Sequence, residues 1–242
     1  VSLIHGPDGA KMSKRHGAVG VAAYRDEEGV LPEALFNYLL RLGWGHGDRE
    51  EISREEAIKL FDLDGVGKGP ARFDIKKLQN LNGHYIREAD DARLAKIVAA
   101  RIGEQADEAL LAKAMPVLKT RAKSVNELVD GAAFLFAKHP LDMTEKAAGL
   151  LDDEARARLA GLSKMLHVQN DWTIEALEAT TKAYAEQLEL GLGKLAQPMR
   201  AALTGTTTSP GIFDVLVLLG KEESLLRIDA QAASPAGTEE NE

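Results

Sequence analysis

The feature that most narrows what this chain can fold into is a succession of helix start and stop signals running from Leu31 almost to its end, spaced for helices of about ten residues. Pro32 stands at the first position of a helix, where its missing N–H costs nothing. Leu35, Phe36, Leu39, Leu40 and Leu42 give that helix an apolar face before the stretch 43–47 ends it around Trp44. Ser53 with Glu56, and Ser124 with Glu127, have the spacing of capping boxes. The patterning predicts further helices over 54–61, 73–81, 90–102, 104–115, 124–136, 145–151, 153–166, 174–190, 195–203 and 211–219. Asn82-Gly83 and Pro116 read as stops, and Ser209-Pro210 as the N-cap and first position of the last helix. With aromatics at only 5%, the fold class is mainly α, a helical bundle or cage, with no fixed-period repeat.

Several chemistries are excluded by what is missing. There is no cysteine, so neither a disulfide nor a cysteine zinc site can form. The six histidines are scattered without a metal-like i, i+4 partner, and no nucleophile triad can be assembled from them. No metal site is expected, and His84 and His167 read as structural. The loop from Asp62 to Pro70 fails as a calcium loop, because Val66 and Phe73 stand where ligands are required. It fails as a phosphate loop because it lacks the Gly-Lys-Ser/Thr ending, which leaves a Gly-rich hinge. No run of 18 apolar residues and no signal pattern is present, so a soluble, cytoplasmic protein without membrane contact is expected.

A net charge of -8 argues against a generic nucleic-acid-coating protein, but the charge is unevenly distributed. Lys68, Arg72, Lys76, Lys77 and Arg87 stand in a window whose only acid is Asp74. Lys113, Lys119, Arg121 and Lys123 form a second window with no acid at all. Each is either a solvated helix face or part of a footprint for a polyanion. Near the start, Gly6-Pro7-Asp8-Gly9-Ala10-Lys11-Met12-Ser13-Lys14-Arg15-His16-Gly17 follows a short apolar run that reads as a strand. The segment has the make-up of a cationic, glycine-flanked loop, suited to gripping phosphate or simply solvated.

That loop resembles the KMSKS signature region of class I aminoacyl-tRNA synthetases, in the Lys-Met-Ser-Lys-Arg form common in glutamyl-tRNA synthetases. The stretches Leu31 to Trp44, Phe73 to Leu78, Ala196 to Gly205 and Ser209 to Phe213 are similar to that family in the same order. The resemblance covers residues 6 to about 220. It does not include the Rossmann half with the HIGH motif and the glutamate pocket. It therefore implies the C-terminal half of the enzyme, inactive alone, from a parent that ligates glutamate to tRNA(Glu) through glutamyl-adenylate. ATP with Mg²⁺ serves the parent, and none is expected on this half. The all-helical pattern favours the glutamyl over the glutaminyl enzyme, whose C-terminal half resembles β-barrels.

Carried over residue by residue, the resemblance implies that Lys11 and Lys14 hold ATP phosphates, with Lys14 the foremost contact. Ser13 orders the loop, and Arg15 replaces the consensus serine as in the glutamyl subgroup. It implies four parts: residues 1–70 as the end of the catalytic domain with the stem-contact region, 71–140 and 141–228 as two helical anticodon-binding subdomains, and 229–242 as a disordered acidic tail. The break His139-Pro140-Leu141-Asp142 marks the inner boundary. Within this frame Arg72, Lys76 and Lys77 are expected on the tRNA backbone and Arg121 near the anticodon. Trp172 either stacks a base or packs in the core beside a helix start. The expected partners are tRNA(Glu), with ATP and glutamate engaged through the other half, and a monomer is expected. The alternative is a free-standing tRNA-binding module, or a helical scaffold, with a vestigial loop.

Overall fold

Helix α2 (Pro32–Gly43) begins as its proline dictates, with Leu31 as an extended N-cap and Trp44 closing the other end. Its buried arc is Ala34, Leu35, Asn37 and Tyr38. Phe36 and Leu39, read from sequence as part of the apolar face, are instead 39% and 41% exposed. The computed structural model describes residues 3–6, 8–12, 20–67 and 69–233, and over these the chain is mainly α-helical. Two short strands, β1 (Ile4–His5) and β2 (Ala71–Arg72), pair in parallel with Ile4 opposite Ala71. No β-barrel forms among the described residues. None of their helices is long and apolar enough to cross a membrane.

The chain divides into two units, Val1–Asp130 and Gly131–Glu242. The first holds α1 (Val21–Asp26), α2, α3 (Arg54–Leu60), α4 (Ile75–Glu88), α5 (Asp91–Ile102) and α6 (Glu108–Leu118), and the chain passes into the second within α7 (Val125–Ala132). The capping box at α3 is made in both directions: Ser53 Oγ accepts from Glu56 N at 3.2 Å, and the Glu56 carboxylate accepts from Ser53 N at 3.1 Å. Trp44, Ile52 and Ala57 form a small buried cluster beside it. Helices α5 and α6 pack together and bury Leu94, Val98, Leu111 and Met115.

Two predicted helix stops are overridden. Asp74 caps α4 by accepting from Lys76 N and Lys77 N, and the helix then runs straight through Asn82-Gly83 to Glu88. Asn82 is fully buried and satisfied by remote backbone: it accepts from Leu31 N at 2.8 Å and donates to Gly29 O at 3.1 Å and Lys123 O at 2.7 Å. Pro116 lies inside α6 rather than beyond its end. Burial of Ala114, Met115 and Leu118 around it outweighs the one backbone hydrogen bond it removes.

The second unit contains a 3-10 turn over Ala133–Phe136, then α8 (Glu145–Ala148), α9 (Asp153–Val168), α10 (Ile174–Gln187), α11 (Gly193–Thr204) and α12 (Ile212–Ala232). Its core gathers Leu159, Leu162, Leu166, Leu177, Met199, Leu203, Val215 and Ile228. Trp172 packs against that core, and its Nε1–H donates to Leu216 O at 2.9 Å, so its ring serves packing. Gly211, rather than Ser209, is the N-cap of α12, because the Ser209 and Pro210 carbonyls accept instead from Arg200 at 3.3 and 2.7 Å. The helix is interrupted at Gly220, whose φ is 77°, and then resumes with Leu225 and Ile228 buried. It continues past residue 229, where the tail was expected to start. Asp229 is engaged by Ser163 and His167, and the Gln231 carbonyl by Arg156.

Candidate nucleic-acid interface

The continuation of α4 through Asn82-Gly83 decides the electrostatics of the first unit. Lys77, Asn80, Leu81, His84 and Arg87 recur at helical spacing, so all five line one side of a cleft of about 500 Å³. Lys77 and Arg87 are ten residues apart, or about 15 Å along the helix axis. Arg72 on β2 extends the same wall, and Tyr38, Arg41 and Leu42 of α2 with Glu50 and Glu51 form the other. The Tyr38 hydroxyl pins the start of α4, accepting from Asp74 N at 2.6 Å and donating to Asp74 O at 3.0 Å. Burial pushes its phenol pKa up, which keeps that donor protonated.

The cations of this cleft are compensated unequally. Arg41 meets Glu50 at 3.5 Å, and His84 has a carboxylate on each ring nitrogen, Glu51 at 3.4 Å and Glu88 at 3.2 Å. Arg72, Lys77 and Arg87 make no ion pair among the described residues. The second basic window joins this surface through tertiary contact. Lys123 Nζ donates to Asn80 Oδ1 at 3.0 Å, and a methyl on Gly83 would stand 3.3 Å from Lys123 Cγ and 3.4 Å from the Arg87 guanidinium. Only glycine lets the two segments approach so closely without displacing one of them. Lys119, by contrast, is used internally, on Asp91 at 2.7 Å and Ala89 O at 3.0 Å.

The predicted site residues are thus distributed over several places. Arg72 and Lys77 come together in the cleft. Lys76 is exposed but does not line it, and Arg121 is exposed in the turn after α6. Lys11 is exposed on the return arm of a hairpin, where it bridges His5 while Met12 N donates to Ile4 O at 2.9 Å. The turn between the arms needs Gly9 at φ 79°, and Arg72 lies over it, 3.7 Å from where a Gly9 side chain would begin. Ser13, Lys14, Arg15 and Lys68 lie outside the described residues. Among the described residues no three His, Asp or Glu side chains converge to hold a metal ion.

Arg41 and Asn80 were not singled out by sequence reasoning, Arg87 and Lys123 were read only as members of the basic windows, and His84 was assigned only a structural part. The 77, 80, 84, 87 spacing was the available signal, hidden by reading Asn82-Gly83 as a helix end.

Comparison with known proteins gives the family. A family model for the catalytic domain of class I tRNA synthetases (E and Q) matches residues 1–80, and one for an anticodon binding domain matches residues 85–232. The glutamate–tRNA ligase 1 of Erythrobacter litoralis is 78% identical over 232 residues, which are 96% of this chain and 48% of the relative. The glutamate–tRNA ligase 2 of Novosphingobium aromaticivorans is 65% identical over 240 residues, covering 96% of this chain and 49% of the relative. A crystal structure of a glutamate tRNA ligase from Elizabethkingia meningosepticum, in complex with its amino acid, superposes with a TM-score of 0.83 at 30% identity. It covers 96% of this chain and 50% of that one. The chain belongs to the glutamate–tRNA ligase family of class I aminoacyl-tRNA synthetases. It spans about half the length of the curated relatives it matches.

Proposed function

We propose that this chain is the tRNA-facing part of a cytoplasmic, monomeric glutamate–tRNA ligase, and that the α4 cleft carries tRNA(Glu) backbone. The observation that carries the reading is the cationic wall of Arg72, Lys77 and Arg87, which make no ion pair among the described residues, with Lys123 beside it. Lysine and arginine on phosphates supply register and most of the salt-dependent affinity, while base reading belongs to other side chains. Lys76 and Arg121 are exposed where they can add outlying phosphate contacts. The whole enzyme uses ATP with its Mg²⁺ to form glutamyl-adenylate and then passes glutamate to the tRNA. Lys11, Lys14 and Arg15 contribute positive charge to the ATP phosphates, where it stabilises the charge developing in the transition state, and Ser13 orders the loop that carries them.

Binding of tRNA(Glu) to the chain as a function of salt tests this reading. Lys77→Ala with Arg87→Ala is expected to make the slope of log affinity against log salt shallower by about 1.5, two phosphate contacts having been removed. Affinity is expected to fall alike for the cognate tRNA and for tRNA in general. An unchanged slope, or equal affinity of the unmodified chain for tRNA(Glu) and other tRNAs, overturns the proposal.

A further inference from the structure

The cleft has a property that phosphate binding alone does not account for. Facing the cations of β2 and α4 are two carboxylates, Glu50 and Glu51. A wall built only to receive a polyanion gains nothing from them, since each repels phosphate. Neither is used up by its own partner. Glu50 touches Arg41 through one long contact of 3.5 Å and its side chain is 81% exposed. Glu51 touches His84 at 3.4 Å and is 55% exposed. An ionised carboxylate offers about four lone-pair sites, so both retain acceptor capacity towards the cleft.

A ligand that satisfies both walls must present phosphate on one side and a hydrogen-bond donor on the other. In a nucleic-acid backbone the only donor is the ribose 2′-hydroxyl, which DNA lacks. Resting on the reading of the cleft as a tRNA backbone site, we propose that Glu50 and Glu51 are specificity-determining residues. They accept hydrogen bonds from 2′-hydroxyls of the strand whose phosphates lie on Arg72, Lys77 and Arg87. The cleft thereby selects ribose rather than merely negative charge. Arg41 on the same wall and His84 from α4 each hold one of the two acceptors in place.

The test compares a tRNA(Glu) transcript with the same sequence carrying 2′-fluoro in place of the hydroxyl at every ribose. The substituted RNA keeps the A-form sugar pucker, the phosphates and every base amine but has no 2′-O–H to donate at those positions. The unmodified 242-residue chain is expected to bind the fluoro transcript about tenfold more weakly or worse, as for the loss of hydrogen bonds to a charged acceptor. With Glu50→Ala and Glu51→Ala together, this preference is expected to vanish, whatever the common shift caused by removing two negative charges. If the double variant shifts both transcripts in parallel and the preference persists, the carboxylates only balance Arg41 and His84, and the inference fails. If the unmodified chain binds both transcripts equally, the inference fails as well. Lys77→Ala with Arg87→Ala separates this outcome from failure of the underlying reading. That variant is expected to weaken both transcripts by the same factor, and no weakening means that the cleft does not receive RNA.

Discussion

Replacing Asn82 by alanine is expected to destabilise the first unit by about 3 kcal/mol, although the residue carries no charge and does not line the cleft. Its amide is fully buried and closes three hydrogen bonds to segments 51, 53 and 41 residues away. Truncation removes the partner of the Leu31 N–H and of the Lys123 carbonyl, while the Gly29 carbonyl keeps Val125 N at 2.9 Å, and each buried polar group left unsatisfied costs about 1–3 kcal/mol, less than additively. The surroundings leave little room for relaxation. Gly29 sits at φ 68°, and a methyl on it would stand 2.9 Å from both Val125 N and Asn126 N. Because the cationic wall depends on α4 passing through this point, the variant is also expected to weaken RNA binding. The chain offers a clean way to measure it, with one tryptophan in each unit, Trp44 and Trp172. In a Trp172→Phe background, urea unfolding followed by Trp44 fluorescence reports the first unit. The exposed Asn80→Ala is the control, and a loss below 1 kcal/mol for Asn82→Ala would show that the tie carries little of the stability.

The second large effect lies in the other unit. Arg227→Met is expected to cost about 4 kcal/mol, the range for breaking a buried charge pair by removing one partner. The Arg227 side chain is almost wholly buried. Its Nε donates to Glu223 at 2.6 Å, and its Nη1 donates to Phe134 O at 2.9 Å and Leu203 O at 2.7 Å. It therefore satisfies carbonyls at the 3-10 turn and at the end of α11, where helix termini leave acceptors over. His139 Nε2 completes the group on the same Glu223 oxygen at 2.9 Å. Methionine fills much of the volume but leaves the two carbonyls without this donor and the Glu223 carboxylate with His139 alone.

The same group predicts a pH dependence. Burial pushes the Glu223 carboxyl up, but the hydrogen bonds from Arg227 and His139 outweigh it and hold the group below its ordinary 4.5. A carboxyl depressed in the folded state contributes stability that is present above its unfolded value and lost as pH falls through its folded one. The second unit, followed by Trp172 in a Trp44→Phe background, should lose stability on acidification below about pH 4.5. Glu223→Gln should flatten that acid limb, and identical acid limbs in the two proteins would contradict this account.

Most of the helices, and the family, were legible without coordinates because their signals are local. Pro32 at a first position, the Ser53 and Glu56 box and the apolar spacing along α5 each act within a few residues of where they are written. The ordered blocks from Lys11 to Phe213 carried the resemblance in the same way, as text. What only the tertiary structure decided is where polar groups find partners. Asn82-Gly83 has the composition of a helix end, yet the helix continues because Asn82 is satisfied by backbone far away in sequence. Gly83 gives Lys123 room to lie beside Arg87, so two basic windows become one surface. Arg227 has the look of an outward helix residue until the carbonyls of Phe134 and Leu203 surround it. Local propensity acts over a turn or two of chain, whereas satisfying a buried donor or uniting two clusters of charge depends on residues that only folding brings near.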